Sequence, residues 1–293
     1  MSVSEEQLSR WAQAPSETED QKCENAISSI TNVIHSHFGK EVYITKQGSH
    51  KNRTNIKADS DVDIAVIHGG YYFPDISGLS DADRELYNKN NPDSNYRFDQ
   101  FKNEVHELLQ KNFDIVERKN KCIRITGNSY RVNADVVPAF EHRRYKSYGV
   151  IGVEGIAFHS DKGELIYGFP EQHYENGVKK NENTAKNYKS AVRIIKRIRN
   201  EFVEKGLMKL SDMPSFFIES LVWNVENSYI AGKTWRELVE SVSAKIWNDM
   251  RNPEIANSYA EVSDLQWLFR GQTKRTPKQA EDFMLQVYNY VKN

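Results

Sequence analysis

The chain has 293 residues, of which 38% are hydrophobic and 28% are charged, and its 40 basic side chains are balanced by 41 acidic ones. This length allows one large domain or two smaller ones, and the composition is that of an ordinary soluble globular protein. A protein that binds duplex nucleic acid constitutively is expected to carry a surplus of Lys and Arg. The near-neutral balance therefore argues against that class.

Signals for export, membrane insertion and disulfide bonding are also missing from the sequence. Met1–Pro15 has no apolar segment of the kind found in a signal peptide, and no run approaches the ~18 apolar residues that span a bilayer. Cys23 and Cys122 form no CxxC pair, and neither they nor the eight His show zinc-ligand spacing. We therefore expect a cytoplasmic protein with no membrane partner and no structural zinc.

Helix and strand patterns alternate in the first half of the chain. Apolar residues at helical spacing predict a helix over Ala26–Phe38 that ends near Gly39. The elements predicted after it are strands at Val42–Thr45 and Val62–Ile67, a helix at Tyr96–Phe113, and strands at Asp114–Arg118, Cys122–Thr126 and Arg131–Val137. Gly69 and Gly70 are expected to end the second strand, and Pro138 the last.

Two polar segments interrupt these elements. Gly48–Ser60 is rich in turn-forming residues, and Tyr71–Asn95 contains two Pro and many Asp, Asn and Ser residues. The longer segment is interpreted either as a surface excursion or as a lid over a site, because long loops often carry function.

The second half of the chain is mainly helical. A hairpin is predicted from Gly155–Phe158 and Glu164–Tyr167. The helices predicted after it are Thr184–Lys205, Ser215–Glu226, Trp235–Met250 and Lys278–Val291. The aromatic residues predicted to lie in the core are Tyr188, Trp223, Trp235, Trp247 and Trp267.

Asp61 and Asp63 flank Val62 at the start of a predicted buried strand. Side chains two residues apart in a strand point to the same face, so the two carboxylates should lie together. Magnesium prefers oxygen ligands and often takes one or two carboxylates plus substrate phosphates, which makes this pair a candidate metal site. An Asp-x-Asp sequence is also common by chance, and the alternative is a pair of solvated acids at a strand end.

Gln47, Gly48 and Ser49 follow the first strand and lie about a dozen residues before the acidic pair. Glycine lets the backbone approach a ligand closely, and the Ser hydroxyl and neighbouring amides can donate hydrogen bonds to phosphate oxygens. Alone, such a sequence is typical of any turn. Beside the acidic pair, it indicates a triphosphate held over a metal ion.

A third acid lies in the predicted strand Arg131–Val137. The apolar side chains of this strand alternate with Asn133 and Asp135, which therefore share the other face. A buried Asp needs a partner, and a metal ion shared with another strand supplies one. The alternative is an edge strand with a solvated polar face.

These motifs together resemble the signature of the polymerase-β nucleotidyltransferase superfamily. The matching segments are Gly48-Ser49, Ser60-Asp61-Val62-Asp63-Ile64 and Ala134-Asp135-Val136-Val137-Pro138-Ala139. More narrowly, the chain is similar to the bacterial cGAS/DncV-like nucleotidyltransferases, known as CD-NTases. The segments that carry this second likeness are Phe169-Pro170, His173, Asn176-Gly177, Lys180-Asn181, Thr184, Tyr188-Lys189 and Val192-Arg193-Ile194-Ile195-Lys196.

The resemblance implies an α+β fold. A polymerase-β-like nucleotidyltransferase core, a mixed sheet with helices, would pack against a C-terminal helical lobe, and the active site would lie in the cleft between them. Residues 1–180 are assigned to the core and residues 181–293 to the lobe.

The resemblance also assigns roles to the residues at matching positions. The metal-binding acids would be Asp61, Asp63 and Asp135, and the contacts to the donor triphosphate would be Gln47, Gly48 and Ser49. Asp59 departs from the family pattern because it extends the acidic run, and we expect it to lie in the preceding turn.

Basic residues on the helix predicted at Thr184–Lys205 form another candidate group. Lys189, Arg193 and Lys196 share the side opposite the apolar stripe. By resemblance, Lys196 reaches the donor phosphates, together with the hydroxyl of Ser215. The alternative is a basic face that contacts only solvent.

The implied chemistry is nucleotidyl transfer without a template. Two Mg²⁺ ions, which Mn²⁺ can replace, would bridge Asp61, Asp63 and the donor phosphates, while Asp135 would bind the acceptor-side ion and take the proton. By resemblance, two nucleoside triphosphates, one of them ATP, become a cyclic dinucleotide with release of pyrophosphate. A separate effector protein would read this second messenger in bacterial anti-phage defence, and the enzyme is expected to be a monomer.

Three other interpretations remain open at the level of sequence. One is a synthase of linear oligonucleotides, and another is a transferase that adds nucleotides to RNA or protein, although the neutral charge balance argues weakly against RNA. The third is a nucleotide-binding regulator without catalysis, against which the intact set of three acids argues.

Overall fold

The computed structural model describes residues 3–56, 61–271 and 275–292. It divides into two compact units, each built from separate stretches of chain. The helical unit comprises Met1–Ser16, Ser49–Asp59 and Glu171–Asn293, and the sheet unit comprises Glu17–Gly48 and Ser60–Pro170. The chain therefore passes between the units several times, whereas the sequence predicted a single boundary at residue 180.

One mixed sheet organises the sheet unit. Its strands are β1 Val42–Gln47, β2 Val62–Asp75, β3 Val116–Arg118, β4 Ile123–Ile125, β5 Ala134–Ser147, β6 Val150–His159 and β7 Leu165–Gly168. The order is β1-β2-β5-β4-β3, with β6 pairing to β5 and β7 to β6. β2 and β5 are parallel and the other pairs are antiparallel, which confirms the predicted mixed sheet.

The strands β2 and β5 are longer than predicted, because neither expected stop ends its strand. At Gly69 and Gly70 the register of β2 shifts between His68 and Tyr72, and pairing with β5 then resumes. Pro138 lies beyond the part of β5 that pairs with β4 and before the part that pairs with β6. The missing N–H of Pro138 therefore costs no ladder hydrogen bond on that side.

Helices cover one face of the sheet. The helices of the sheet unit are α2 Glu17–Phe38, α4 Asp81–Asn90 and α5 Phe98–Asn112. Side chains of α2 and α5, such as Ile30 and Phe101, form a fully buried core with Val62, Ile64 and Val136. On the opposite face, Ala65, Ile67, Ala139 and Ile156 form a smaller cluster. Acids that alternate with the main-core residues therefore point away from α2 and α5.

The segment Tyr71–Asn95 is not the plain loop that its composition indicated. Its first residues continue β2, and Ser80 caps α4 by accepting a hydrogen bond from the Asp83 amide at 3.2 Å. Tyr87 of α4 is buried and donates its hydroxyl to the Tyr72 hydroxyl at 3.0 Å. Ser and Asp are common at helix N-termini as well as in loops, so composition alone did not distinguish the two here.

The helical unit is built around α7. Its helices are α1 Glu5–Ala12, α6 Pro170–Asn183, α7 Asn187–Glu204, α8 Ser215–Trp223, α9 Trp235–Met250, α10 Pro253–Ser258 and α11 Pro277–Lys292, and the short helix α3 Gly48–Asn52 joins the two units. The helices predicted beyond residue 184 are confirmed, whereas α1, α6 and α10 were not predicted. None of the described helices has the length and apolarity needed to cross a bilayer.

The aromatic residues of this unit were predicted correctly with one exception. Tyr188 is fully buried, and Trp223, Trp235 and Trp247 pack half-buried against the helical core. Trp267 is 50% exposed, and the Arg270 guanidinium lies 4.0 Å from the centre of its ring. The prediction that Trp267 is a core residue was therefore wrong.

Candidate active site

Register in the sheet places two of the predicted acids side by side. Asp63 in β2 pairs with Asp135 in the parallel strand β5, and Asp61 immediately precedes β2. Asp63 and Asp135 lie on the sheet face opposite the main core, since they alternate with buried residues such as Ile64. β5 lies between β2 and β4, so the alternative of an edge strand is wrong.

A basic side chain lies between two of these acids. Arg124 stands opposite Asp135 in the antiparallel pair of β4 and β5. Its Nη2 donates to Asp61 Oδ2 at 2.5 Å, and its Nη1 lies 3.6 Å from Asp135 Oδ1. Asn133 Nδ2 donates to the other oxygen of Asp61 at 2.8 Å. Both oxygens of Asp61 are therefore engaged by protein groups.

Asp135 is held in a partly buried position beside Arg124 and Cys122. Burial raises the pKa of Asp135, and the charge of Asp61 adds to this effect while Arg124 opposes it. Its Oδ1 is buried and has no hydrogen-bond partner among the described residues. Burial, together with Asp135, also raises the pKa of the neighbouring Cys122 thiol to about 12, so Cys122 stays protonated.

The donor set suits a hard divalent cation, although the three acids do not converge. Within the described ranges, no three His, Cys, Asp or Glu side chains lie in positions to hold one ion together. A buried carboxylate oxygen without a hydrogen-bond partner is nevertheless what a cation would satisfy, and Mg²⁺ needs only one or two carboxylates when phosphates complete its shell. The residues therefore fit such an ion.

Gly48 closes the site on the side of β1. Its φ is +63°, and a Cβ built there would lie 2.0 Å from Asp63 Oδ2. Glycine is required at this position both for the left-handed backbone and for the space that the Asp63 carboxylate occupies. Next to it, Gln47 pairs with Asp63 across the strands, and the buried Gln47 Nε2 has no hydrogen-bond partner among the described residues.

Lys196, in the helical unit, does not lie on a solvated face. Its side chain is fully buried, and its Nζ donates to the Thr54 carbonyl at 2.9 Å. Lys189 and Arg193, which share that side of α7, are also buried. The alternative of a basic solvated face is therefore wrong.

A buried network surrounds Lys196. Glu219, 4% exposed, accepts hydrogen bonds from Thr54 Oγ1 at 3.0 Å and contacts His173 Nε2 at 3.0 Å. Burial opposes ionisation of Glu219, but the charges and hydrogen bonds of His173, Lys196 and Thr54 outweigh it and lower the pKa of Glu219. The Thr54 amide in turn donates to the Ser49 carbonyl at 3.0 Å. The network thus fixes the segment that begins at Ser49.

Ser215 and Asp59 complete the list of predicted residues. Ser215 begins α8, and its hydroxyl accepts a hydrogen bond from Arg199 Nη1 at 3.2 Å. Asp59, which was expected to lie in a turn, falls outside the described residues.

Sequence reasoning missed three residues that shape these two regions. Glu219 is the only charged residue in the apolar helix sequence SFFIESLVW, and this isolation was a usable signal of a paired buried charge. Arg124 is one polar residue in a short strand, and only the strand register connects it to the acids. Thr54 carried no signal, because it lies in a polar segment outside any regular pattern.

Comparisons with known proteins agree on one family. Residues 175–292 match the model of the cGAS/DncV-like nucleotidyltransferase C-terminal helical domain. The chain is 41% identical over 292 residues to the cyclic dipurine nucleotide synthase of Elizabethkingia meningoseptica, with 99% of each chain covered. It is also 34% identical to a cyclic dipyrimidine nucleotide synthase, CdnE, of Legionella pneumophila, again with 99% of each covered.

Solved structures give the same result. The Elizabethkingia meningoseptica CdnE cyclic dinucleotide synthase, solved with GTP and Apcpp, superposes with a TM-score of 0.84 at 39% identity over 99% of this chain and 100% of that one. The Rhodothermus marinus CdnE c-UMP-AMP synthase, solved with Apcpp and Upnpp, gives 0.83 at 26% identity, with 98% and 95% covered.

Proposed function

Because the chain belongs to the bacterial CD-NTase family and is a nucleotidyltransferase, we propose that it joins two nucleoside triphosphates into a cyclic dinucleotide and releases pyrophosphate at each transfer. The names of its relatives support this product. Their structures with triphosphate analogues support nucleoside triphosphates as substrates, and Apcpp in both supports ATP as one of them.

One observation carries the assignment of the site to the sheet unit. Two buried polar atoms near Asp63 have no hydrogen-bond partner among the described residues: the acceptor Asp135 Oδ1 and the donor Gln47 Nε2. Buried polar groups are almost always paired in proteins, so these two atoms are suited to a ligand that offers both a cation and phosphate oxygens. A metal-bound triphosphate is such a ligand.

The acids would hold Mg²⁺, or Mn²⁺ in its place. When bound there, the ion would lower the pKa of the acceptor hydroxyl and offset the charge of the departing pyrophosphate. Asp61 and Asp63 would supply carboxylate oxygens at the start of β2. Asp135, whose pKa is raised by burial, is suited to take the proton of the acceptor hydroxyl.

Groups around Gly48 would hold the donor phosphates. Gln47 Nε2 and the Ser49 hydroxyl can donate to phosphate oxygens, and Gly48 lets the backbone come close. Ser215 at the start of α8 is a further hydroxyl donor. The hydrogen bond from Lys196 to Thr54 favours a role for Lys196 in positioning the Ser49 segment, rather than in direct contact with phosphate.

We expect a cyclic rather than a linear product when the acceptor is a single nucleotide, because the linear dinucleotide can then react with itself. After one transfer, the linear dinucleotide still carries a 5′ triphosphate and a free ribose hydroxyl. If both ends are held in one site, the second attack is intramolecular and benefits from a high effective concentration. We further propose that a separate effector protein reads this product in anti-phage defence, and that the enzyme acts as a monomer.

Product analysis tests the proposal. The protein is incubated with Mg²⁺ and all four nucleoside triphosphates, treated with alkaline phosphatase, and the remaining products are weighed by mass spectrometry. We expect a mass equal to two nucleoside monophosphates less two waters, which disappears when EDTA is added. A ladder of dephosphorylated linear oligonucleotides would identify a linear synthase instead. In parallel incubations with labelled ATP and added RNA or protein, transfer of the label to the added molecule would identify a transferase to that acceptor. Absence of pyrophosphate release would identify a regulator without catalysis.

A further inference from the structure

We propose that Arg124 guards the acidic site: in the absence of nucleotide it neutralises Asp61 and Asp135, and an incoming triphosphate draws it away so that the metal ion can bind. This inference rests on the proposed function, since the triphosphate is the substrate that displaces Arg124. It assigns a task to a residue that neither the sequence motif nor the family resemblance includes.

The position of Arg124 is set by the sheet rather than by a flexible loop. It is the middle residue of β4 and stands opposite Asp135 in the register of β4 with β5. From there its guanidinium reaches Asp61 Oδ2 at 2.5 Å with one nitrogen and Asp135 Oδ1 at 3.6 Å with another. Arg124 therefore occupies the space between the two carboxylates that a shared cation would need.

Competition with a cation follows from the state of these oxygens. Arg124 and Asn133 together engage both oxygens of Asp61, so an ion can bind Asp61 fully only when the guanidinium withdraws. Arginine stays protonated under all ordinary conditions, so it cannot lose its charge to make room. Burial lowers the pKa of Arg124, but the hydrogen bond to Asp61 and the charges of Asp61 and Asp135 outweigh burial and raise it.

The contact with Asp135 is the incomplete part of the arrangement. The 3.6 Å separation is an ion pair but too long for a hydrogen bond, and Asp135 Oδ1 is buried without a hydrogen-bond partner among the described residues. A framework salt bridge in the same unit looks different. Asp161 accepts from Lys102 at 2.7 Å and from two nitrogens of Arg118 at 2.9 and 3.0 Å. The long contact between Arg124 and Asp135 is suited to exchange.

The triphosphate would bind the Arg124 guanidinium in place of the two carboxylates. A guanidinium matches the geometry of phosphate oxygens and forms paired hydrogen bonds with them. The side chain of Arg124 is 32% exposed, so it can turn towards an anion without leaving β4. The metal ion would then bind well only together with the nucleotide, and the free protein would bind it weakly.

Binding of Mn²⁺ alone, measured by isothermal titration calorimetry without nucleotide, tests the guard. We expect Arg124→Gln to bind Mn²⁺ about tenfold more tightly than the wild type, because a competing cation has been removed. Lys119→Gln is the matched control, since Lys119 also acts electrostatically on Asp135 but makes its ion pair with Glu117. It should change Mn²⁺ affinity by about twofold or less. Unchanged or weaker binding in Arg124→Gln, or equal tightening in both variants, would overturn the proposal.

Binding of a non-hydrolysable ATP analogue with Mg²⁺ tests whether the triphosphate draws Arg124 away from the acids. Arg124→Gln should weaken analogue binding about tenfold, Arg124→Lys should weaken it less, and Lys119→Gln should leave it nearly unchanged. Equal affinity in Arg124→Gln and wild type would show that the triphosphate does not take over the arginine. A wild type that binds no analogue would instead contradict the proposed function, while the Mn²⁺ measurement would still decide whether Arg124 competes with the ion.

Discussion

Two groups of charged residues in this protein differ in how completely their members satisfy one another. Around Glu219 in the helical unit, both carboxylate oxygens have partners, and Lys196 donates to a carbonyl while fully buried. At the starts of β2 and β5, a buried oxygen of Asp135 has no hydrogen-bond partner in the part of the chain that the structure describes, and Arg124 is partly exposed.

This difference distinguishes a structural group, the one around Glu219, from a candidate ligand site, the one around Asp135. A charge buried with all its partners lowers the energy of one conformation and is costly to alter. A carboxylate at the edge of a core, with a buried oxygen that no hydrogen bond satisfies, is suited to bind a ligand. Substitutions in the two groups should therefore differ in whether they reduce stability, activity or both.

The largest effect on activity is expected from Asp61→Asn combined with Asp63→Asn. The change keeps the shape of the side chains but removes carboxylate ligands, so pyrophosphate release should fall on the order of 10³-fold or more. Thermal unfolding of the variant should stay close to that of the wild type. Retained pyrophosphate release would refute the site, and a large loss of stability would place these acids with the framework instead.

The largest effect on stability is expected from Glu219→Gln. Removing one partner of a buried charged network should lower the free energy of unfolding by roughly 3–5 kcal/mol at pH 7. Because the pKa of Glu219 is lowered in the folded protein, its contribution is fully present above its ordinary value of 4.5 and is lost as the pH falls below that value. Urea unfolding at pH 7 and at pH 4 should therefore show a gap between the two proteins that narrows in acid. A gap independent of pH would contradict this view of Glu219.

Gly48→Ala should affect the site through space as well as backbone strain. Its Cβ would overlap Asp63 Oδ2, so the carboxylate must move, and a displacement of about 1 Å can cost ~10²-fold in rate. Gly39→Ala is the matched control, because Gly39 has a similar φ of +60° but nothing within 4 Å of its Cβ. Both variants should lose similar stability, about 1–2 kcal/mol, and only Gly48→Ala should lose activity. Equal kinetic effects in the two would assign the loss to strain alone.

The smallest effect on activity is expected from Thr54, which connects the buried network around Glu219 to the Ser49 segment. Thr54→Val removes the hydroxyl that donates to Glu219 and should cost about 1–3 kcal/mol, whereas Thr54→Ser keeps the hydroxyl and should cost less. If the network positions Ser49 for the donor phosphates, Thr54→Val should raise KM for the nucleoside triphosphate more than it lowers kcat. Steady-state kinetics under conditions where both variants remain folded will show whether KM moves at all.

Sequence predicted the elements that carry the acids because the relevant signals are local. The alternation around Asp61 and Asp63, and that around Asp135, follows from the two-residue period of a strand and needs no tertiary information. Gly48 was likewise recognised from residue type and spacing. The family resemblance then connected these separate motifs.

What sequence missed depended on contacts between distant segments. Pro138 was expected to end β5, and only the change of neighbour from β4 to β6 explains why the strand continues. One interpretation placed Lys196 on a solvated face, but it is buried and donates to the carbonyl of Thr54, 142 residues earlier in the chain. Arg124 met Asp61 and Asp135 through strand register, which a single sequence does not specify.

Because each compact unit is built from separate stretches of chain, a single cut or crossover cannot separate the two units cleanly. The matching helical-domain model covers residues 175–292, but the compact helical unit also needs Ser49–Asp59, which supplies the Thr54 partner of Glu219. A fragment cut at residue 171 would bury Glu219 and Lys196 with part of their partners absent. A single crossover between two homologues near that position would separate residues that must match, so viable chimeras should require the short N-terminal segments to be inherited together with the C-terminal helices.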